Sequence, residues 1–156
     1  MTEIEVYERQ VERVYQRLEE QCGFDENDPQ QWKEYIWEEK IIRAELWEDL
    51  TLKECEDLSF FASNLWGISY PAIIERNCLG ESFACRRYIE IAKDMKKAPY
   101  ILHEITHTII MNRFSFKDAQ HGPLFVRLFI DLCSTILHMN EYELIESAKR
   151  EGLVVA

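Results

Sequence analysis

Residues 103–107 read His-Glu-Ile-Thr-His. On a helix, side chains four apart leave the same face, so His103 and His107 can grip one divalent cation together. Glu104 follows the first of them and can reach a metal-bound water without binding the metal. This is the HExxH arrangement of zinc hydrolases, in which the glutamate serves as general base. The competing reading is a pair of core histidines satisfied by backbone carbonyls. The chain holds four histidines in all. The motif falls in a segment of helical pattern that follows a candidate strand, which favours the metal reading.

A catalytic zinc needs a third protein ligand and an open position. His121 is the candidate. Thirteen residues separate it from His107, enough for a helix end and a loop to turn the chain back. Gly122 removes bulk beside the metal, and Pro123 sets the entry to a new helix. A capping or solvent-facing histidine is the alternative. A glutamate on the following helix is the other third-ligand option, but between Phe125 and His138 the only acid is Asp131. Asp131 reads either as a partner orienting a ligand imidazole or as a solvated surface acid. Glu141, Glu143 and Glu146 fit the polar face of a last helix. His138 fits a helix C-terminus, as a cap or surface residue.

The elements that must position these groups follow from periodicity. Ile4, Tyr7, Val11, Val14, Tyr15 and Leu18 predict a helix over 3–21, ended by Gly23 and the segment 25–29. Residues 30–49 are rich in Trp and Glu; Trp32, Tyr35, Ile36 and Trp37 suit a helix, and 41–46 suits helix or strand. Thr51 with Glu54 reads as a capping box opening a helix to about Trp66, with Gly67 as its stop. Residues 72–77 and 83–92 read as two strands joined through the turn composition of 79–82, a hairpin. Pro99 opens a helix to about Arg113, followed by a loop over 114–120. Pro123 opens another, with Phe125, Leu128, Phe129, Leu132 and Ile136 on one stripe. Asn140 and Glu143 start the last, which Gly152 ends. The pattern is α+β: one domain over residues 1–156, with a small antiparallel sheet and several helices.

Composition bounds the partners. Aspartate and glutamate number 29 against 18 lysines and arginines, a net charge of −11. Such a surface repels phosphate backbones and counts against nucleic acid. The basic-leaning stretch Arg86, Arg87, Lys93, Lys96 and Lys97 offers either an anion contact or a solvated face, and the second is favoured. The five scattered cysteines form no CxxC pair and read as buried free thiols in a reducing compartment. Trp32, Trp37, Trp47, Trp66, Phe60 and Phe61 are assigned to the core. The segment MTEIEVYERQ is acidic and lacks the apolar stretch of a signal peptide, and no apolar run is long enough to span a bilayer. The expected location is cytoplasmic, without membrane.

HEITH, thirteen residues, then HGPLF resembles the SprT-like (spartan-type) zinc metallopeptidases. These follow HExxH with a downstream His-Gly and a helix bearing an aromatic residue, here Phe125. The sequence is more similar still to a family of small, uncharacterised bacterial metallohydrolases, with VYERQVERVY matching their Tyr-rich first helix and LIESAKREGLVV their last. The resemblance is concentrated over 99–132. It implies a zincin-like (minigluzincin or SprT-like) fold, Zn²⁺ on His103, His107 and His121, and Glu104 as base. The Cys-rich zinc ribbon of many SprT-like proteins is absent from this sequence; with the acidic charge, that argues against their DNA-linked role. By fold analogy, the strand around Tyr88 to Lys93 is expected to border the cleft, with an exposed edge that could pair with an extended peptide.

The expected activity is zinc-dependent hydrolysis of a peptide or protein. A non-peptide metallohydrolase and a non-catalytic, metal-stabilised interaction module are the alternatives. The sequence sets neither the substrate nor the oligomeric state.

Overall fold

A computed structural model describes residues 2–22, 27–114 and 120–156. Among these described residues, six α-helices and a three-stranded sheet form one α+β unit. The helices are α1 (Glu3–Cys22), α2 (Gln31–Trp37), α3 (Leu52–Leu65), α4 (Ala98–Arg113), α5 (Pro123–Leu137) and α6 (Glu141–Arg150). The strands are β1 (Ala72–Arg76), β2 (Phe83–Ala84) and β3 (Tyr88–Ala92). The expected stop at Gly23 and most of the loop expected over 114–120 lie outside the described residues. Among the described residues, no helix is long and apolar enough to cross a membrane.

The helix carrying HEITH is the centre of the molecule. Ile101, Leu102, Ile105 and Ile109 of α4 are fully buried, because α3 and the sheet pack on one side of α4 and α5 on the other. A helix covered on several faces needs apolar residues around most of its circumference. Each such side chain contributes about 1.5–3 kcal/mol by leaving water. Polar groups on this helix must then find partners inside the protein.

Helix boundaries follow local chemistry. Thr51 and Glu54 form the reciprocal capping box, at 3.1 and 3.0 Å. Asn140 accepts from the Glu143 N–H at 3.0 Å. Pro99 and Pro123 sit in the first turns of α4 and α5. Gly67 and Gly152 take the left-handed backbone that ends α3 and α6. Residues 30–49 resolve into α2, a π-helical turn over Glu38–Ile42 and a 3₁₀ turn over Ala44–Leu46. The wide turn closes where the Arg43 N–H reaches the Glu38 carbonyl, 2.8 Å away.

The sheet differs from the expected antiparallel hairpin. Strand order is β1-β3-β2, with β1 parallel to β3 (Ala72↔Tyr88 through Arg76↔Ala92) and β2 antiparallel to it (Phe83↔Glu90, Ala84↔Ile89). The tight turn lies at 85–87, where Cys85 N–H meets the Tyr88 carbonyl at 2.8 Å. The segment 77–82 instead crosses the end of β3, held there by Ser82 Oγ on Ala92 N–H and by Asp94 on Gly80 N–H, both 2.8 Å. A Cys-Arg-Arg turn carries no Gly, Pro, Asn or Asp, and alternating burial reads alike for parallel and antiparallel partners. With β3 interior, Tyr88–Ala92 has no free edge for an incoming peptide.

The aromatic assignment also divides. Trp37 is fully buried and donates to Ser147 Oγ at 2.9 Å, but Phe60 and Phe61 are about half exposed on α3. Among the described cysteines, Cys55 and Cys133 are buried thiols, whereas Cys78 and Cys85 are partly exposed.

Candidate metal centre

His103 and His107 leave α4 one turn apart with ring centroids 5.0 Å from each other. His121, at the entry to α5, brings its ring to 5.2 Å from His103 and 4.8 Å from His107. The three histidines each offer a ligand atom, and these atoms lie within 4.8 Å of one another. The buried ring of Phe125 touches all three imidazoles, with centroids 4.6–4.9 Å away. It forms the apolar back of the cluster. The three ligands expected from the sequence therefore converge.

Two of the imidazoles are oriented from behind by carboxylates. His103 Nδ1 is 2.6 Å from Glu38 Oε2. His121 Nδ1 is 2.7 Å from Asp28 Oδ2, and the His121 backbone N–H donates to Asp28 Oδ1 at 3.0 Å. With each Nδ1–H donating to its carboxylate, Nε2 of both rings keeps its lone pair. These two Nε2 atoms face each other at 3.3 Å. Nitrogen ligands at the 2.0–2.1 Å bond length of tetrahedral zinc are themselves about 3.3 Å apart. Two lone pairs at that distance repel unless a proton or a metal ion lies between them. The donor set and its carboxylate supports fit zinc.

The carboxylates are held by elements distant in the chain. Glu38 begins the π turn after α2. Asp28 precedes α2, in a segment fastened to the C-terminal tail: Gln30 Nε2 donates to the Val154 carbonyl at 3.2 Å and Val154 N–H to Gln30 Oε1 at 3.1 Å. Glu34 stands one turn before Glu38, fully buried, with Oε1 4.0 Å from His103 Nδ1. Burial, then the charge of Glu38, pushes its pKa well above the carboxylate range. Burial thus favours the protonated form of Glu34, while His103 favours the ionised form of Glu38.

The remaining titrations follow the same layout. Burial opposes a charge on His103, but Glu38, joined by Glu104 and Asp28, outweighs it and raises the pKa; burial also opposes a charge on Glu38, but His103, joined by Glu34 and His121, lowers its pKa. His107 falls well below the ordinary range through burial and then the neighbouring imidazoles. Burial also lowers His121, against the pull of Asp28. Glu104 is raised, mainly by burial. Its carboxyl makes no side-chain hydrogen bond with a described residue, which leaves it free to act as a base.

A cavity of about 650 Å³ opens onto His103 and Glu104. α2 and the π turn form one wall, and the segment 80–82 forms part of the other. Trp32, Tyr35 and Tyr100 give it aromatic faces. Trp32 thus borders the cleft rather than filling the core.

The other candidates stand apart. Asp131 lies 3.0 Å from Arg127, a third exposed, and supports no ligand. His138 is exposed and ends α5 in a left-handed conformation. Lys96 and Lys97 pair with Glu75 and Asp49 at 2.6 and 3.2 Å, so two of the five residues of the basic-leaning stretch are tied up internally.

Asp28, Glu34, Glu38 and Tyr35 were not among the expected site residues. The four-residue spacing of Glu34 and Glu38 beside Trp37 was the available signal, since it marks two acids on one helix face next to core. Asp28 carried no local signal.

No protein-family model, curated protein or solved structure matches the chain.

Proposed function

We propose that the protein is a zinc-dependent hydrolase of the HExxH type acting on peptide bonds, with a zincin-like, SprT-like catalytic unit. The observation that carries this reading is the pair of Nε2 atoms of His103 and His121, 3.3 Å apart, each set by a buried carboxylate on its Nδ1. His107 completes the ligand set. Zinc bound there would supply a Lewis acid that polarises the scissile carbonyl and acidifies water.

The protein's own groups do the rest. Glu104 takes the proton of the attacking water and returns it to the leaving amine. Its burial, which raises its pKa, suits a group that must both accept and release a proton. Glu38 and Asp28 keep His103 and His121 in the tautomer that presents Nε2. Phe125 excludes water from the rear of the cluster. The cavity at His103 and Glu104 favours catalysis over a closed, purely structural metal site, which would have no room for substrate.

The test is metal content, followed by turnover. About one zinc per purified chain is expected, lost or greatly weakened in His121→Ala. Glu104→Gln is expected to keep its zinc and to lose about 10²–10⁴-fold in peptide hydrolysis. No zinc after reconstitution, or full activity in Glu104→Gln, would refute the reading.

A further inference from the structure

Among the described residues, the wall of the cavity carries more acids than bases. Glu39, Glu45 and Glu81 line it together with Lys97. Lys97 Nζ is already committed to the carbonyls of Trp47 and Glu45, at 2.7 and 3.3 Å, and to Asp49 at 3.2 Å. Glu39 and Glu45 lie against each other in the wall. The Tyr7 hydroxyl donates to Glu39 at 3.2 Å, and the Glu45 carboxyl interacts with both Glu39 and Tyr7; its Oε2 atom is buried without a hydrogen bond of ordinary geometry. Burial and then the Glu45 charge raise Glu39 to about 7. The Arg43 guanidinium lies 6.0 Å from the centre of the Tyr7 ring, with its Nε also buried without a hydrogen bond. In the same cavity Glu104, 6% exposed, makes no side-chain hydrogen bond with a described residue. Two packed carboxylates, one buried oxygen without an ordinary hydrogen bond, and the aromatic faces of Trp32, Tyr35 and Tyr100 together form a receptor for a cationic side chain.

We propose that this cleft selects its substrate through an arginine or lysine side chain seated on the Glu39–Glu45 pair and against the aromatic wall, while the adjoining peptide backbone lies over His103 and Glu104. The proposal rests on the hydrolase reading and names its substrate class. Arginine is preferred over lysine, because a planar fork of donors meets two carboxylates and stacks on rings at once. The net charge of −11 extends the attraction to approaching basic chains and repels acidic ones.

The experiment uses zinc-loaded full-length Glu104→Gln protein and four fluorescent peptides that differ at one central residue: arginine, lysine, citrulline or glutamate. Citrulline keeps the shape of arginine without the charge. Anisotropy titration is expected to show the arginine peptide binding about tenfold or more tightly than citrulline, with lysine between them and glutamate weakest. Adding Glu39→Gln and Glu45→Gln together is expected to erase that difference while zinc content and far-ultraviolet circular dichroism stay unchanged. Equal affinity for arginine and citrulline, no measurable binding of any of the four, or a preference that survives in the folded double substitution would overturn the proposal. Because that substitution alters a partly buried pair, the arginine–citrulline comparison with Glu39 and Glu45 intact decides by itself. Cleavage assays of the same peptides by the zinc-loaded protein with Glu104 in place separate the two readings. Charge-selective binding without cleavage would remove the hydrolase and keep the cation pocket. Cleavage indifferent to arginine would keep the hydrolase and remove the pocket.

Discussion

Glu38 and Glu39 are neighbours in one π-helical turn, yet they sit in opposite electrostatic worlds. Glu38 points inward, meets His103 at 2.6 Å and has its pKa lowered by that imidazole. Glu39 lines the cleft, meets another carboxylate and a phenol, and has its pKa raised to about 7. Each has a second acid beside it, Glu34 or Glu45. Residue type is shared, and burial raises both, so neither explains the opposite shifts. The inner pair has a basic imidazole to stabilise one charge; the outer pair has none and is left to share a proton or attract a cation.

Substituting the two neighbours in turn is the most direct way to break this contrast. Glu38→Gln, and likewise Asp28→Asn, is expected to weaken zinc binding about 10–100-fold, since each removes the carboxylate that orients a ligand imidazole. Glu39→Gln should leave zinc affinity within about twofold, because it supports no ligand. Competition against a chromophoric chelator measures all three. Equal losses from Glu38→Gln and Glu39→Gln would mean that general negative charge, rather than imidazole orientation, holds the metal.

A smaller effect sharpens the outer half. The folded pKa of Glu39 lies above its unfolded value, so the folded state binds the extra proton between roughly pH 4.5 and 7. The corresponding contribution to stability is fully present below the unfolded pKa and disappears as pH rises through about 7. The stability difference between the protein and its Glu39→Gln variant should therefore shift in favour of the variant across that window and level off above it. Urea denaturation at several pH values reads this; a difference that does not change with pH would place Glu39 in an ordinary solvated environment.

The smallest effect is expected at Asp131, the acid first considered as a ligand support. Its pairing with Arg127 is a partly exposed surface interaction, worth at most about 1 kcal/mol. Asp131→Ala should leave zinc affinity unchanged. A tenfold loss there would contradict the assignment of imidazole support to Glu38 and Asp28.

Helix ends and the paired histidines of one helix face were legible because they depend on short spacing. A capping box needs only Thr51 and Glu54, a metal-gripping face only His103 and His107, and a helix entry only Gly122 and Pro123. The sheet was less legible. Ile89 and Ile91 mark a buried strand whichever way its neighbours run, and the 85–87 turn lacks the usual turn residues. Phe60 and Phe61 looked like core because large aromatic side chains usually are, but α3 turns them outward. The π turn was not visible either, since widening a helix by one residue leaves the apolar pattern of 36–42 almost intact.

By itself, then, the sequence determined the elements that neighbouring residues can encode through backbone geometry: the helices, their caps, and a histidine pair with its glutamate between them. Only the tertiary structure decided which acids serve those histidines. Asp28 and His121 are 93 residues apart, and Glu38 and His103 are 65 apart. Hydrogen bonds between such residues depend on how α2, α4 and α5 pack around Phe125 and on the Gln30–Val154 tie. A buried imidazole must satisfy its second nitrogen, but no local rule says which of 29 acids the packing will deliver to it.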